Sequence, residues 1–203
     1  MIETEWLLFT AQLPATPSSL RVNVWRRLRD AGSASLQNGV WILPRFEENT
    51  IFMERLLGYI KENAASGQIF LVKDLNQAVH EDIMARFESD RDQEYEEFLE
   101  QCEGFFSEIE KETEANKFTF AELEENEQNL QRLRRWIAKI QKRDFFKSSK
   151  SRQAITALQS CREKLQTYTH QVYSQEGIDL PPSADTSPED QLISDQESEH
   201  DFE

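Results

Sequence analysis

The chain has 203 residues, 30% of them charged, a formal net charge of −15 and only two cysteines and three histidines. No apolar run approaches the roughly 20 residues that span a bilayer, and Glu3 and Glu5 stand where a secretory leader would be basic, so the expectation is a cytoplasmic protein with no membrane partner. Cys102 and Cys161 have no CxxC partner, which excludes a disulfide framework, and each falls on an apolar helical stripe that would bury it.

Trp6–Leu13 is a continuous apolar run ended by Pro14, the pattern of a central strand. Ser18 and Ser19 offer an N-cap for a helix whose Leu20, Val24, Leu28 and Ala31 share one face, with Gly32 as its stop. Residues 34–37 and 40–43 are short strands around Asn38-Gly39, a pair that suits a type I′ hairpin turn. A second helix over 48–63 uses Ile51, Met53, Leu56, Leu57 and Ile60, and Ser66-Gly67 separates it from a strand over 68–72. The order β-α-β-β-α-β predicts a ferredoxin-like domain over residues 1–75.

Residues 76–173 read as helical. Ile83, Met84 and Phe87 mark a short helix, and Tyr95 to Ile109 a longer one that Gly104 weakens by about 1 kcal/mol. Thr119 with Glu122 forms a capping box for a helix carrying Leu123, Leu130, Leu133, Ile137 and Ile140. A turn at 144–149 leads to a last helix with Ala154, Leu158, Cys161, Leu165, Tyr168 and Val172. These last two helices predict an antiparallel hairpin. Residues 174–203 hold ten acidic and no basic side chains with few large apolar ones, the composition of a disordered tail. The fold class is therefore α+β: a ferredoxin-like domain, an all-α helical hairpin region and an acidic tail.

Charge is sorted along the chain. Residues 1–75 are neutral, 76–127 carry −14, 128–173 carry +9 and 174–203 carry −10. Such segregation allows local contact with nucleic acid despite the acidic total. On the first helix Arg21, Trp25 and Arg29 form one stripe beside Arg26, and guanidinium interleaved with an aromatic ring suits phosphate contact with stacking. The plainer alternative lays Arg21 and Arg27 over the core edge, paired with Asp30 or other acids. The run Arg132, Arg134, Arg135, Lys139, Lys142, Arg143, Lys147, Lys150 and Arg152 supplies a second basic face, with pairing to the acidic helix at 94–114 as its plainer alternative. The candidate nucleic-acid or oxyanion contacts are thus Arg21, Trp25, Arg26, Arg29, Arg132, Arg135, Lys139 and Lys142. His80, His170 and His200 lack metal-ligand spacing, His80 reading as a solvated first turn, and no phosphate-binding or nucleophile motif occurs, so neither metal, cofactor nor catalytic residue is expected.

The segments WLLFTAQLP, SSLRVNVWRRLRDAG and LQNGVWILP resemble the N-terminal domain of the ChrB family, bacterial chromate-resistance regulators. Arg21, Trp25, Arg26, Leu28, Gly39, Val40, Trp41, Leu43 and Pro44 match its pattern, and Tyr95–Phe106, Leu130–Ile140 and the RDFF of 143–146 resemble its long helices and their Asp-Phe-Phe turn. More distantly the first domain resembles the middle domain of PaaX-type repressors and the ferredoxin-like CRISPR adaptation nucleases. Those nucleases need an acid where Gln12 stands, and a neutral amide is a poor ligand for a hard metal. The resemblance implies a non-enzymatic, DNA-binding protein of transcription regulation connected with chromate or stress response. The alternatives are an interaction module that pairs with a partner protein carrying a ChrB C-terminal domain, and an oxyanion sensor. A homodimer is compatible with each.

Overall fold

The computed structural model describes residues 4–16 and 18–179. Its elements run β1 (Glu5–Gln12), α1 (Ser19–Asp30), β2 (Ala34–Gln37), β3 (Val40–Pro44), α2 (Glu47–Glu62), β4 (Ser66–Lys73), α3 (Gln77–Glu114), α4 (Phe120–Lys142) and α5 (Ser151–Glu176). The expected tail over 174–203 lies outside the described residues from 180 onward. Its first three residues instead complete α5, which ends at Gly177 with φ +64°.

The four strands form one antiparallel sheet in the order β2-β3-β1-β4, the ferredoxin-like arrangement. The apolar run Trp6–Leu13 is central because it pairs on both sides, Leu7 opposite Leu43 and also opposite Leu71. Alternation along β1 then divides its side chains between two cores. Leu7 and Phe9 meet Leu20, Val24 and Leu28 of α1 and Met53, Leu56 and Ile60 of α2. Trp6 points the other way and joins Ala34, Ile42, Ile83 and Phe87, so the start of α3 covers the second face.

The hairpin turn departs from the expected type I′. Only Gly39 takes positive φ, at +76°, and the β2–β3 register slips between Ser35 and Gln37 as a bulge. Gly39 is required there for a second reason: a Cβ would stand 2.8 Å from the Ala11 carbonyl oxygen. The expected Ser cap of α1 is also absent, since Ser18 is helical and caps nothing with its side chain. Asn76 does cap α3, its side chain accepting from Val79 N at 3.1 Å.

The two helices expected between residues 77 and 114 are one helix of 38 residues. No glycine or proline lies between Phe87 and Tyr95. Arg91 holds the buried position between them, so the apolar stripe is interrupted in sequence while the helix is not. α3 packs against both members of the α4–α5 hairpin to form a three-helix bundle, with Tyr95, Phe98, Cys102, Ile109, Ile137, Ile140, Cys161 and Tyr168 at its centre. Both cysteines are free and buried there, as expected.

A polar pair lies within the bundle core. Asn126 Nδ2 donates to Glu112 Oε2 at 2.6 Å, while Asn126 Oδ1 is buried without a partner among the described residues. Burial pushes the Glu112 carboxyl above its ordinary range, the Asn126 bond opposing and the nearby Glu122 adding to the rise.

Gly39→Ala costs about 1–2 kcal/mol in urea unfolding through its left-handed φ, with more from the carbonyl clash, whereas Gly104→Ala, where a Cβ meets nothing within 4 Å, gains about 1 kcal/mol. Glu112→Gln stabilises the protein at neutral pH, because an amide is buried without a charge and can donate to Asn126 Oδ1. A carboxyl whose native pKa is raised lowers stability as pH climbs through its unfolded value near 4.5. The gain from Glu112→Gln therefore fades as pH falls below that value, a trend measured by thermal unfolding across pH.

Candidate nucleic-acid interface

A short polar turn between α4 and α5 carries Phe145 and Phe146, and these rings fasten the bundle to the sheet. Phe146 lies 5.3 Å from Phe87 and 6.0 Å from Trp6, and Phe145 lies 6.3 Å from Phe87 and 5.8 Å from Phe46, all centroid to centroid. Phe145 packs against both cores of the sheet. On the sheet side, Trp6 Nε1 donates to Asp74 Oδ1 at 2.7 Å and His80 Nδ1 lies 2.8 Å from Asp74 Oδ2. His80 is thus half-buried and bonded, not the solvated first turn its neighbours Glu81 and Asp82 suggest.

The same junction draws the ends of α1 and α4 together. Gly32 turns the chain out of α1 with φ +78°, and a Cβ there would lie 2.6 Å from the Cβ of Arg143. Arg143 is held in place by Glu94, whose Oε2 accepts from Arg143 Nε at 2.9 Å and from an Arg91 Nη at 2.6 Å. Burial lowers the pKa of Arg91 while Glu94 opposes the shift. Tyr95 donates its hydroxyl to Asp144 at 3.0 Å, and burial raises its pKa.

Between the ends of α1, α2 and α4 lies a cleft of about 550 Å³ lined by Arg27, Asp30, Glu48, Lys139, Lys142 and Arg143, with Phe52 and Phe145 as apolar surface. Four cations face two carboxylates. The Arg27 guanidinium carbon sits 3.9 Å above the Tyr59 ring centroid, which fixes the side chain without neutralising it. Lys139 and Lys142 make no ion pair among the described residues.

The eight sequence-derived candidates separate into groups. Lys139 and Lys142 line the cleft. Arg21, Trp25 and Arg29 do share a stripe, but on the flank of α1 opposite Arg27 and Asp30, given 100° per residue. Arg29 lies 5.4 Å from the centre of the exposed Trp25 ring, and Arg21 Nη2 donates to the Ala15 carbonyl at 3.0 Å, bracing the loop before α1. Arg26 is exposed on the outer side of the helix. Arg132 bonds to Asn129 and faces a groove between α3 and α4 beside Glu108 and Trp136. Arg135 donates to the Gln131 carbonyl at 3.3 Å and turns toward Glu124, Glu127 and Leu165. Of the basic run, Arg143 and Lys150 pair with Glu94 and Glu96 of α3, so the plainer reading holds for those two. Two cations of the cleft are absent from the candidates: Arg143, which is paired with Glu94, and Arg27. It does lie over the core edge, on Tyr59, yet it faces the cleft as well.

A ferredoxin-like sheet joined through an Asp-Phe-Phe turn to a three-helix bundle, with a cationic cleft at the junction, defines the architecture. Residues 21–178 match the family described as Protein ChrB, N-terminal, and the chain belongs to that family. It is also 28% identical over 156 residues to Protein ChrB of Cupriavidus metallidurans, a match covering 75% of this chain and 44% of that relative. The chain therefore spans less than half the length of the curated relative. No solved structure matches. No helix among the described residues is long and apolar enough to cross a membrane, and no group of three or more His, Cys, Asp or Glu among them could hold a metal.

Asp74→Ala removes the acceptor shared by Trp6 and His80. It is expected to cost about 2 kcal/mol and to increase quenching of Trp6 fluorescence by acrylamide; unchanged stability and quenching would show the bonds to be dispensable.

Proposed function

We propose that this protein is a non-enzymatic regulator of the ChrB family that works in the cytoplasm and contacts DNA phosphate through the cleft between α1 and α4, in a response connected with chromate resistance. The observation that supports the reading is the convergence of Arg27 from one half of the molecule with Lys139 and Lys142 from the other. Cations held apart on rigid helices, with no ion pair among the described residues, can track a backbone of regularly spaced charges. The exposed Trp25–Arg29 pair offers a further stacking contact at the other flank of α1.

Fluorescence anisotropy on a labelled duplex taken from upstream of its own gene tests this. Binding should weaken steeply with salt, and Lys139→Ala and Lys142→Ala should each reduce the slope of log affinity against log salt by about 1. Arg132→Ala and Arg135→Ala, whose side chains face other grooves, should leave the slope near that of the parent. Salt-independent binding, or equal effects of all four variants, contradicts the reading. A second reading, an oxyanion held by the same three cations, is favoured by their convergence on one concavity. It predicts that added chromate raises the melting temperature, since a ligand of the folded state must stabilise it.

A further inference from the structure

The two charged ends of the helical bundle differ. At the end that meets the sheet lies the cationic cleft. At the far end Glu108, Glu110, Glu114, Glu124, Glu125 and Glu127 are exposed around the α3–α4 turn. The C-terminus of α5 belongs to this acidic end, where Tyr168 donates to the Lys117 carbonyl at 2.5 Å and Phe120 meets Tyr173. From there the chain continues into residues 178–203, which are acidic and contain no cation.

We propose that the last part of this segment, residues 189–203, docks in the α1–α4 cleft of its own chain and competes there with nucleic-acid phosphate. The competition rests on the function proposed above. The segment and the cleft are opposite in charge. Glu189, Asp190, Asp195, Glu197, Glu199, Asp201 and Glu203 place seven carboxylates in these fifteen residues, against a cleft with Arg27, Lys139, Lys142 and Arg143. The acidic surface around the segment's root repels it locally, and the cleft attracts its carboxylates once they come within a Debye length of about 8 Å.

The segment is also long enough to reach the cleft. α5 has 26 residues, about 39 Å of helix, and begins just after the Asp144–Ser148 turn that borders the cleft. Extended chain covers that distance in about 12 residues. A fully extended spacer over 178–188 just brings residue 189 to the cleft, and the carboxylates from Asp195 to Glu203 reach it with slack. The tether raises the effective concentration of these carboxylates into the millimolar range, enough for a weak ionic contact to be populated.

Zero-length carbodiimide coupling of the full chain, followed by peptide mapping, tests the docking without nucleic acid. The expected result joins residues 189–203 to Lys139 or Lys142 in a yield that is unchanged by dilution and lost in high salt. Coupling of this segment only to other lysines, only between chains in an isotope-mixed sample, or not at all overturns the proposal. A full-chain variant with Asp195→Asn, Glu197→Gln, Glu199→Gln and Asp201→Asn should bind a labelled duplex about fivefold to tenfold tighter than the parent at low salt. The expected coupling with no duplex binding by either protein keeps the docking and removes the competition and the nucleic-acid reading with it. Duplex binding of equal strength by both proteins, without the coupling, removes the docking and keeps that reading.

Discussion

The packing of Phe145 and Phe146 is the contact on which the arrangement of the molecule depends. The sheet with α1 and α2 has one core, and the bundle of α3, α4 and α5 has another. A third, smaller cluster around Trp6, Ile42 and Phe87 lies between them, and the two phenylalanines complete it. Aromatic rings of this size each bury 150–250 Å² when enclosed, so a pair of them in a five-residue polar turn supplies a large share of the apolar contact across the junction. Phe145 touches both faces' cores at once, which sets the position of the preceding helix end as well as its distance from the sheet.

The electrostatics follow from that placement. Cations cluster in the last turns of α4, where they complement the helix dipole. Glu94 takes up Arg143 and Arg91 together, and Lys150 pairs with Glu96. Lys139 and Lys142 lie beyond the reach of α3 and face α1, where Arg27 is already fixed by Tyr59. Like charges are thereby collected by packing that is apolar in origin. Asp30 and Glu48 in the same cleft offset part of their mutual repulsion and leave an excess of positive charge.

Local signals in the sequence carried much of this fold. The run Trp6–Leu13 reads as a central strand because both its faces are buried, and the three-four spacing of Leu130, Leu133, Ile137 and Ile140 reads as a helix because one face is. The continuity of α3 was hidden by Arg91, a charged residue in an apolar stripe whose burial depends on Glu94 of its own helix, three residues on. The turn at Gly39 was recognisable as a turn, but its type depends on contact with Ala11 of β1, which the two residues do not encode. The cleft was not legible, because it unites residues 27 and 139–143 through a tertiary contact. Two clues to it were present: a pair of phenylalanines in a polar turn, and a glycine at position 32, where the chain must pass close to Arg143.

The aromatic junction, and not the number of cations, creates the cationic cleft proposed to take phosphate. The most direct test pairs spin labels at Asn23 on α1 and Ala138 on α4 in a Phe145→Ala, Phe146→Ala variant that keeps every charged residue. The account predicts that both halves retain their circular dichroism, that the interlabel distance distribution broadens relative to the parent, and that salt-dependent duplex binding falls with it. A distribution as narrow as the parent's, or full duplex binding despite a broadened one, would contradict it.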